Sequence, residues 1–388
     1  MRRVNSIGLA AISALMLGTV ACTQTLILFK PSPVIDPMPN TDACPKVVEA
    51  DPQAKDQWTL SQLGVSQEVL QSGVLDGNAN VRIAIMSTGV DYNHPDLCGQ
   101  IAINKAEITQ KAIGDRPDVN REDDDKNGLV DDIAGYDVVD GDGLAYDRHG
   151  AGTAVAGIIA ANQSNGIGIA GLMKNVTLLP IRYIDNNGQA SIASLAGGLE
   201  ATLKLKPHVI FIQSAQIQVG GHRQEAALAA NELGILKGYL DRVRDAKIPV
   251  IVGAGDDMGQ FGSTEIDKLL KSYDNVLIIT AVDKEGKRSL LANTHSQDVL
   301  TAAPGEEVLT LKPGGKTGLV NGTAYAAAHV TAAVGLARAA LADRLDTAKL
   351  IQTFISAKGS EPDAALERDT RGGTRLQIVK FLGEIRGH

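Results

Sequence analysis

The densest set of side chains able to do chemistry is the acidic segment at residues 122–135 (EDDDKNGLVDDIAG). Its candidate oxygen ligands are Asp123, Asp125, Asn127, the Leu129 carbonyl, Asp131 and Asp132. Oxygens at alternate positions with a glycine at the sixth place, here Gly128, are typical of an EF-hand-like calcium loop. The closing bidentate glutamate of that pattern is missing, because position twelve is Ala134. The segment therefore predicts a structural calcium site, and a solvated acidic loop is the alternative.

The N-terminus has the layout of an export signal. A pair of arginines precedes an apolar stretch at residues 7–20, which is shorter than a typical membrane-spanning helix. Residues 1–21 are predicted to be a signal peptide, after which Cys22 would carry a lipid that anchors the chain to the membrane. Thr19 stands where a lipoprotein signal usually has leucine, so plain secretion and an uncleaved anchor remain alternatives. We predict export, as a bacterial cell envelope lipoprotein or in secreted form.

The other two cysteines fit an oxidising compartment. If Cys22 is lipidated, Cys44 and Cys98 remain, and a disulfide between them would add about 2–4 kcal/mol of stability. Two unpaired thiols are the alternative. Residues 22–55 contain many prolines, which disfavour helix and strand alike, and they predict a tether. Residues 56–388 predict one globular domain, pinned to that tether by the disulfide.

Charge and composition argue against nucleic acid as a partner. The formal net charge is −8 and aromatic residues make up only 3% of the chain. Proteins that bind nucleic acid usually present a basic surface that neutralises phosphates, often with aromatic platforms for bases. We therefore expect no nucleic-acid partner.

Short apolar runs alternate with helical stretches along the chain. The predicted strands cover residues 81–86, 176–181, 208–212, 248–252 and 275–282. The predicted helices cover residues 191–205, 223–244 and 323–341. Alternation at this spacing predicts an α/β fold with a mostly parallel sheet and helices on both faces.

Three segments, in this order, resemble the signature motifs of the subtilase family of subtilisin-like serine proteases. They are residues 84–97 (AIMSTGVDYNHPDL), 149–161 (HGAGTAVAGIIAA) and 321–333 (NGTAYAAAHVTAA). Residues 248–256 resemble the strand that leads to the family's oxyanion-hole asparagine. The resemblance covers about residues 56–388 and implies a subtilisin-like three-layer sandwich. Some subtilases carry a similar acidic insertion that binds calcium, which supports the calcium interpretation.

The resemblance also locates the catalytic positions, and none of them holds the expected residue. The family's aspartate, histidine and serine correspond to Ser87, Ala154 and Ala324, and its oxyanion asparagine corresponds to Asp256. Acyl transfer of this kind needs the nucleophile, the base, the orienting carboxylate and oxyanion donors together. Loss of triad members leaves about 10³–10⁴-fold over water, and loss of an oxyanion donor costs about 10²–10³ more. The resemblance therefore predicts an inactive relative of a protease.

The peptide-binding cleft of the family also has a counterpart here. Gln213, Ser214 and Ala215 correspond to its Ser-Leu-Gly strand, and a side chain in place of glycine would crowd a bound peptide. Main-chain pairing along this edge stays available. We predict a non-catalytic subtilase-fold protein that binds a peptide or protein partner in its cleft. A serine-type endopeptidase with unorthodox catalytic residues and a purely structural envelope lipoprotein are the alternatives.

Overall fold

A computed structural model of the chain describes residues 36–44, 48–78, 81–108, 120–214, 216–217 and 223–387. The strands are β1 (Arg82–Ser87), β2 (Tyr136–Asp137), β3 (Thr177–Arg182), β4 (Gln189–Ala190), β5 (Val209–Ile212), β6 (Gln216–Ile217), β7 (Val250–Gly253), β8 (Val276–Val282), β9 (Val299–Pro304), β10 (Val308–Lys312), β11 (Lys316–Val320), β12 (Ser360–Pro362) and β13 (Thr374–Leu376). The α-helices are α1 (Trp58–Gln62), α2 (Gln67–Gln71), α3 (Ala151–Ala160), α4 (Ile192–Lys204), α5 (Arg223–Asp245), α6 (Glu265–Leu270), α7 (Thr323–Leu341), α8 (Thr347–Ile355) and α9 (Ile378–Arg386).

Most of these strands belong to one sheet. Within the described ranges its nine strands follow the order β12-β13-β9-β8-β7-β5-β1-β3-β2. Every neighbouring pair is parallel except β12 with β13. From β1 the chain continues to β3 on one side and later to β5 on the other. A crevice at the carboxyl ends of the strands is expected where the strand order reverses in this way.

Alternate residues of the central strands supply two apolar clusters on opposite faces of the sheet. In β1, Ile83 and Ile85 join the cluster that contains α3, α7 and α9, whereas Ala84 and Met86 join the cluster that contains α4 and α5. This division follows from the two-residue period of a strand. The predicted α/β sandwich, with helices on both faces of a mostly parallel sheet, is confirmed.

The five predicted strands are all present, and each begins one or two residues later than the pattern indicated. The largest difference is at β7, which begins at Val250 although residues 248–252 were the apolar run. Pro249 has no N–H for the sheet, and the N–H of Ile248 donates to Val243 O at the end of α5. The long helix predicted at residues 323–341 has these same limits.

Helix α7 is long and apolar enough to cross a membrane, judged by length and composition over the described residues. However, 78% of its apolar window is buried inside the domain. Its small residues pack closely against the sheet and against α3, which identifies it as a core helix.

The described part of the segment predicted as a tether lies against the domain. A disulfide joins Cys44 to Cys98. Tyr92 Oη donates to Pro37 O at 2.6 Å, and Asn93 Nδ2 donates to Met38 O at 2.8 Å. Proline blocks helix and strand but leaves backbone carbonyls free to accept, so the segment can bind without regular structure.

A buried ion-pair network connects this N-terminal segment to β2 and β3. Arg182 is 2% exposed, and its Nη1 lies 2.5 Å from Asp137 and 2.7 Å from Asp140. Arg148 forms a second bridge to Asp36, at 2.5 Å. Because a guanidinium can serve two carboxylates at once, the network holds together segments that are far apart in sequence.

Candidate functional site

The four positions that correspond to catalytic groups lie at the carboxyl edge of the sheet. Ser87 ends β1, and Asp256 follows β7. Ala154 lies in the first turns of α3, and Ala324 is the second residue of α7. Ala154 and Ala324 belong to the same apolar cluster. The fold therefore brings these sequence-predicted positions together at this edge of the sheet.

Ser87 is fully buried, and its hydroxyl has a partner. Its Oγ donates to Oε1 of Gln213, which follows β5. The Gln213 carbonyl accepts in turn from the Tyr183 hydroxyl. Burial raises the pKa of Tyr183 above its ordinary range, so this phenol stays protonated and remains a donor. A satisfied neutral network occupies the place where a charged aspartate would orient a base.

At the start of α3, the buried carboxylate of Asp147 is engaged in several hydrogen bonds. Asp147 accepts from the hydroxyls of Thr88 and Thr153 at 2.9 and 2.6 Å. It also accepts from the backbone N–H groups of His149, Gly150 and Thr153, at 2.7–2.9 Å. His149 itself is exposed. Asp147 therefore stabilises the start of α3 through these hydrogen bonds.

At the start of α7 a carboxylate lies where oxyanion donors would be needed. Asp256 Oδ1 accepts from the backbone N–H of Thr323 at 2.8 Å. Gly322, with φ near +143°, supplies the tight backbone just before the helix. Desolvation raises the pKa of Asp256 and the Thr323 N–H opposes this, while the exposure of the side chain lets water screen the shift. A negative charge at a helix N-terminus is stabilised by the helix dipole.

Tyr325 is the remaining polar side chain beside the nucleophile position. It is half-buried and packs against the apolar cluster of α3 and α7. Burial raises the pKa of Tyr325 to about 12, so the phenol is protonated at neutral pH and is a poor nucleophile.

The cleft strand is only partly described. Ser214 Oγ donates to Gly253 O at 2.6 Å, which ties the segment after β5 to the end of β7. Strand β4 pairs in parallel with β6, so this edge already has a short ladder. Ala215 lies outside the described residues. Gln213 faces Ser87 through its side chain, and its proposed role in peptide binding stays a prediction.

The acidic segment gathers several of its predicted ligands. One oxygen from each of Asp123, Asp125 and Glu107 lies within 4.8 Å of the others. Glu107 comes from outside the loop, and its two oxygens accept from the backbone N–H groups of Asp125 and Asp131 at 3.0 and 3.1 Å. It thus brings a carboxylate from outside the loop to this cluster. The sequence interpretation missed Glu107, because the pattern searched for a ligand within the loop itself.

Two amides bring a further carboxylate into this cluster. Asn127 Nδ2 donates to both oxygens of Asp132, and Asn104 Nδ2 donates to Asp132 and Asp125. Burial, together with the charges of Asp125 and Glu107, raises the pKa of Asp132 to about 6. The hydrogen bonds from the two amides act in the opposite direction and lower this pKa. A divalent cation among these oxygens would offset that repulsion, and the all-oxygen donor set suits calcium.

Asp131, another predicted ligand, is placed differently. It turns its carboxylate toward residues 120 and 121, whose backbone N–H groups donate to it at 3.0 and 3.1 Å. The Leu129 side chain is buried in the cluster of α4 and α5, which anchors the loop to the domain, and the role of its carbonyl as a ligand stays a prediction. Between Asp131 and Asp132, the latter is the one that bonds to the amides of Asn104 and Asn127.

Known proteins resemble this chain over most of its length. A model of the subtilase family matches residues 78–373. The chain belongs to the subtilase family. The major intracellular serine protease of Bacillus subtilis is 30% identical over 258 residues, which is 66% of this chain and 68% of that protein. A thermostable alkaline protease of Halalkalibacterium halodurans is 26% identical over 300 residues, 77% of this subtilase and 67% of that protease.

More distant similarities bear on the fold and on length. Subtilisin-like protease 1 of Plasmodium berghei is 25% identical over 283 residues, 71% of this chain. The subtilase spans only 45% of the length of that relative. The crystal structure of a cold adapted subtilisin-like serine proteinase superposes with a TM-score of 0.54 at 17% identity, over 76% of this chain and 89% of that one. The predicted family and the subtilisin-like fold are thus both confirmed.

His329 lies on α7 below the crevice and is buried. Its Nδ1 donates to Tyr325 O at 2.8 Å, four residues earlier on the helix. Burial lowers the pKa of His329 to about 4. Because this pKa lies below that of a free histidine, the folded protein keeps the ring neutral at pH values where the unfolded chain already begins to protonate it.

This histidine is expected to make the fold acid-sensitive. The folded pKa of about 4 lies below the unfolded value of about 6.5, so the unfolded chain takes up the proton first and stability falls as pH drops through this window. The loss through His329 is about 3 kcal/mol between pH 7 and 4. Urea unfolding at several pH values should show a shallower decline in His329→Gln. Equal declines in both proteins would contradict the assignment.

Proposed function

We propose that this subtilase is a non-catalytic protein of the cell envelope that binds a peptide or protein partner in its cleft. The observation that carries the proposal is the methyl group of Ala324 at the position of the family's nucleophile. Ala154 stands at the position of the family's histidine base, and Ser87 stands at the position of its aspartate. Asp256 puts a negative charge at the start of α7. The relatives named above are proteases, so an inherited peptide cleft is the feature available for a different use.

A serine-type endopeptidase with unorthodox residues is the second candidate, and the protease names of the relatives favour it. The described site offers little to support it. Asp147 has its oxygens occupied, and the Tyr325 phenol is protonated at neutral pH. A purely structural envelope lipoprotein is the third candidate, distinguished from the first by the absence of any cleft ligand.

The purified protein is expected to hydrolyse no fluorescent casein and to resist labelling by a fluorophosphonate probe. Ala324→Ser alone should remain unlabelled, because triad members act as a unit. Combined with Ser87→Asp, Ala154→His and Asp256→Asn, it restores every group that acyl transfer needs, and only this four-position variant is expected to be labelled.

The matched control introduces a serine elsewhere on the same helix. Ala327→Ser, placed in the four-position variant instead of Ala324→Ser, should abolish labelling. Labelling or casein hydrolysis by the unaltered protein would contradict the non-catalytic proposal and favour the second candidate.

We further propose that the chain is exported and anchored to the membrane by a lipid on Cys22. The support is the signal-like N-terminus in the sequence. Expression in a bacterial host with radiolabelled palmitate should label the protein and place it in the membrane fraction. Cys22→Ser should lose both the label and the membrane association. An unlabelled, soluble wild-type protein would instead indicate plain secretion.

We also propose that the acidic cluster binds calcium as a structural ion. The support is the convergence of Asp123, Asp125 and Glu107, to which the amides of Asn104 and Asn127 connect Asp132. A bound ion would link the loop to the segment that carries Glu107, and its affinity would add directly to folding stability.

Removal of calcium is expected to lower the unfolding temperature. At a calcium concentration one hundred times Kd the stabilisation is about 2.7 kcal/mol, measured by thermal unfolding with and without a chelator. Glu107→Gln and Asp125→Asn should abolish the calcium response. Glu122→Gln alters an exposed acid at the start of the same loop and should preserve it. A response that survives in all three variants would refute the site.

A further inference from the structure

An exposed apolar patch lies beside Asp256. Met258, Leu290 and Leu291 are 64%, 73% and 48% exposed, and we call them the apolar rim. They are three of the seven large apolar side chains that are exposed among the described residues. The other four lie on separate elements of the chain. Scattered exposed leucines are ordinary, whereas a cluster beside a cleft is typical of a binding surface.

Backbone and amide hydrogen bonds hold the apolar rim and Asp256 in one unit. The N–H of Met258 donates to Leu291 O at 2.9 Å, which joins the loop after β7 to the loop after β8. Asn293 reinforces the junction, because its Oδ1 accepts from Gly259 N at 2.7 Å and its N–H donates to Gly255 O at 2.9 Å. The carboxylate and the apolar side chains are therefore presented together on a supported surface.

The charge of this unit is uncompensated. Asp256 and Asp257 are both exposed, and neither forms an ion pair within the described part of the chain. Two of the cations on the neighbouring segments have other partners. Arg288 faces Asp369 at 4.0 Å, and Lys271 is bonded to Asp298 at 2.9 Å. The carboxylates thus offer a negative potential to whatever occupies the cleft.

The position of Asp256 decides which group of a ligand can lie there. A peptide carbonyl oxygen is an acceptor, and the ionised carboxylate of Asp256, already bonded to the start of α7, would repel it. A lysine or arginine side chain provides donors and an opposite charge. Apolar neighbours of that cation in an extended peptide could then cover the rim.

We propose that this surface binds an extended peptide segment in which a lysine or arginine is flanked by apolar residues. The cation contacts Asp256 and Asp257, and the flanking side chains cover the apolar rim. The inference rests on the proposed non-catalytic peptide binding and adds the chemical class of the ligand.

A random decapeptide library passed over the immobilised full chain tests both levels. Enrichment of peptides with a basic residue between apolar residues supports the inference. Enrichment without a basic residue overturns it but leaves peptide binding intact. No enrichment above an uncoated surface overturns the inference and the proposed peptide-binding function together.

Fluorescence anisotropy with an enriched peptide then locates the site. Replacing its lysine by glutamate should weaken binding about tenfold at low salt and less at high salt, because exposed charges are screened. In the protein, Asp256→Asn with Asp257→Asn should remove the preference for the lysine peptide over the glutamate peptide. Leu290→Ser with Leu291→Ser should weaken both peptides to a similar degree, about five- to tenfold, because the rim contributes apolar contact.

Matched controls lie elsewhere on the surface. Asp274→Asn removes an exposed acid just before β8, at the opposite end of the sheet, and Ile235→Ser removes an exposed apolar side chain on α5. Both should bind like the unaltered protein. Equal losses in the control and test variants, or a charge preference that survives at Asp256 and Asp257, would overturn the assignment.

Discussion

The close approach of two helix starts to the carboxyl edge of the sheet is the constraint on which this structure depends. A Cβ on Gly152 in α3 would lie 1.8 Å from Gly89 O. A Cβ on Gly253, at the end of β7, would lie 2.8 Å from the N–H nitrogen of Ala324. Glycine at both places lets α3 and α7 lie directly against the strand ends, because no side chain would fit there. Asp147 accepts from N–H groups at the start of α3, which would otherwise have no partner within the helix.

Gly152, Gly253 and Asp147 do not stand at the positions that correspond to the catalytic triad. This packing therefore does not depend on the side chains at Ser87, Ala154 and Ala324. The polar groups that remain in the crevice bond to one another, as Ser87 does with Gln213 and Asp256 with Thr323. Polar groups that are satisfied internally in this way hold the shape of the site.

Carboxylates also organise the loops of this acidic protein. Asp147, Glu107 and Asp51 each accept from at least two backbone N–H groups, and Asp256 caps α7 in the same manner. Irregular segments need partners for their backbone donors, and an ionised acceptor is a strong one. Part of the net negative charge is thus structural, and Asp256 and Asp257 beside the apolar rim form no ion pair within the described residues.

The sequence by itself predicted five strands of the central sheet to within two residues, the limits of α7, the family and which residues stand at the positions that correspond to the catalytic groups. Each of these depends on local periodicity or on the identity of a residue within a motif. It did not indicate that Glu107 bonds to the backbone of the acidic loop, that Asp132 rather than Asp131 bonds to the amides of Asn104 and Asn127, or that Gln213 accepts from Ser87. Those contacts join segments of different strands and loops. Which residues meet in these contacts depends on how the layers of the fold pack. A local sequence pattern carries no information about distances between segments that are far apart along the chain.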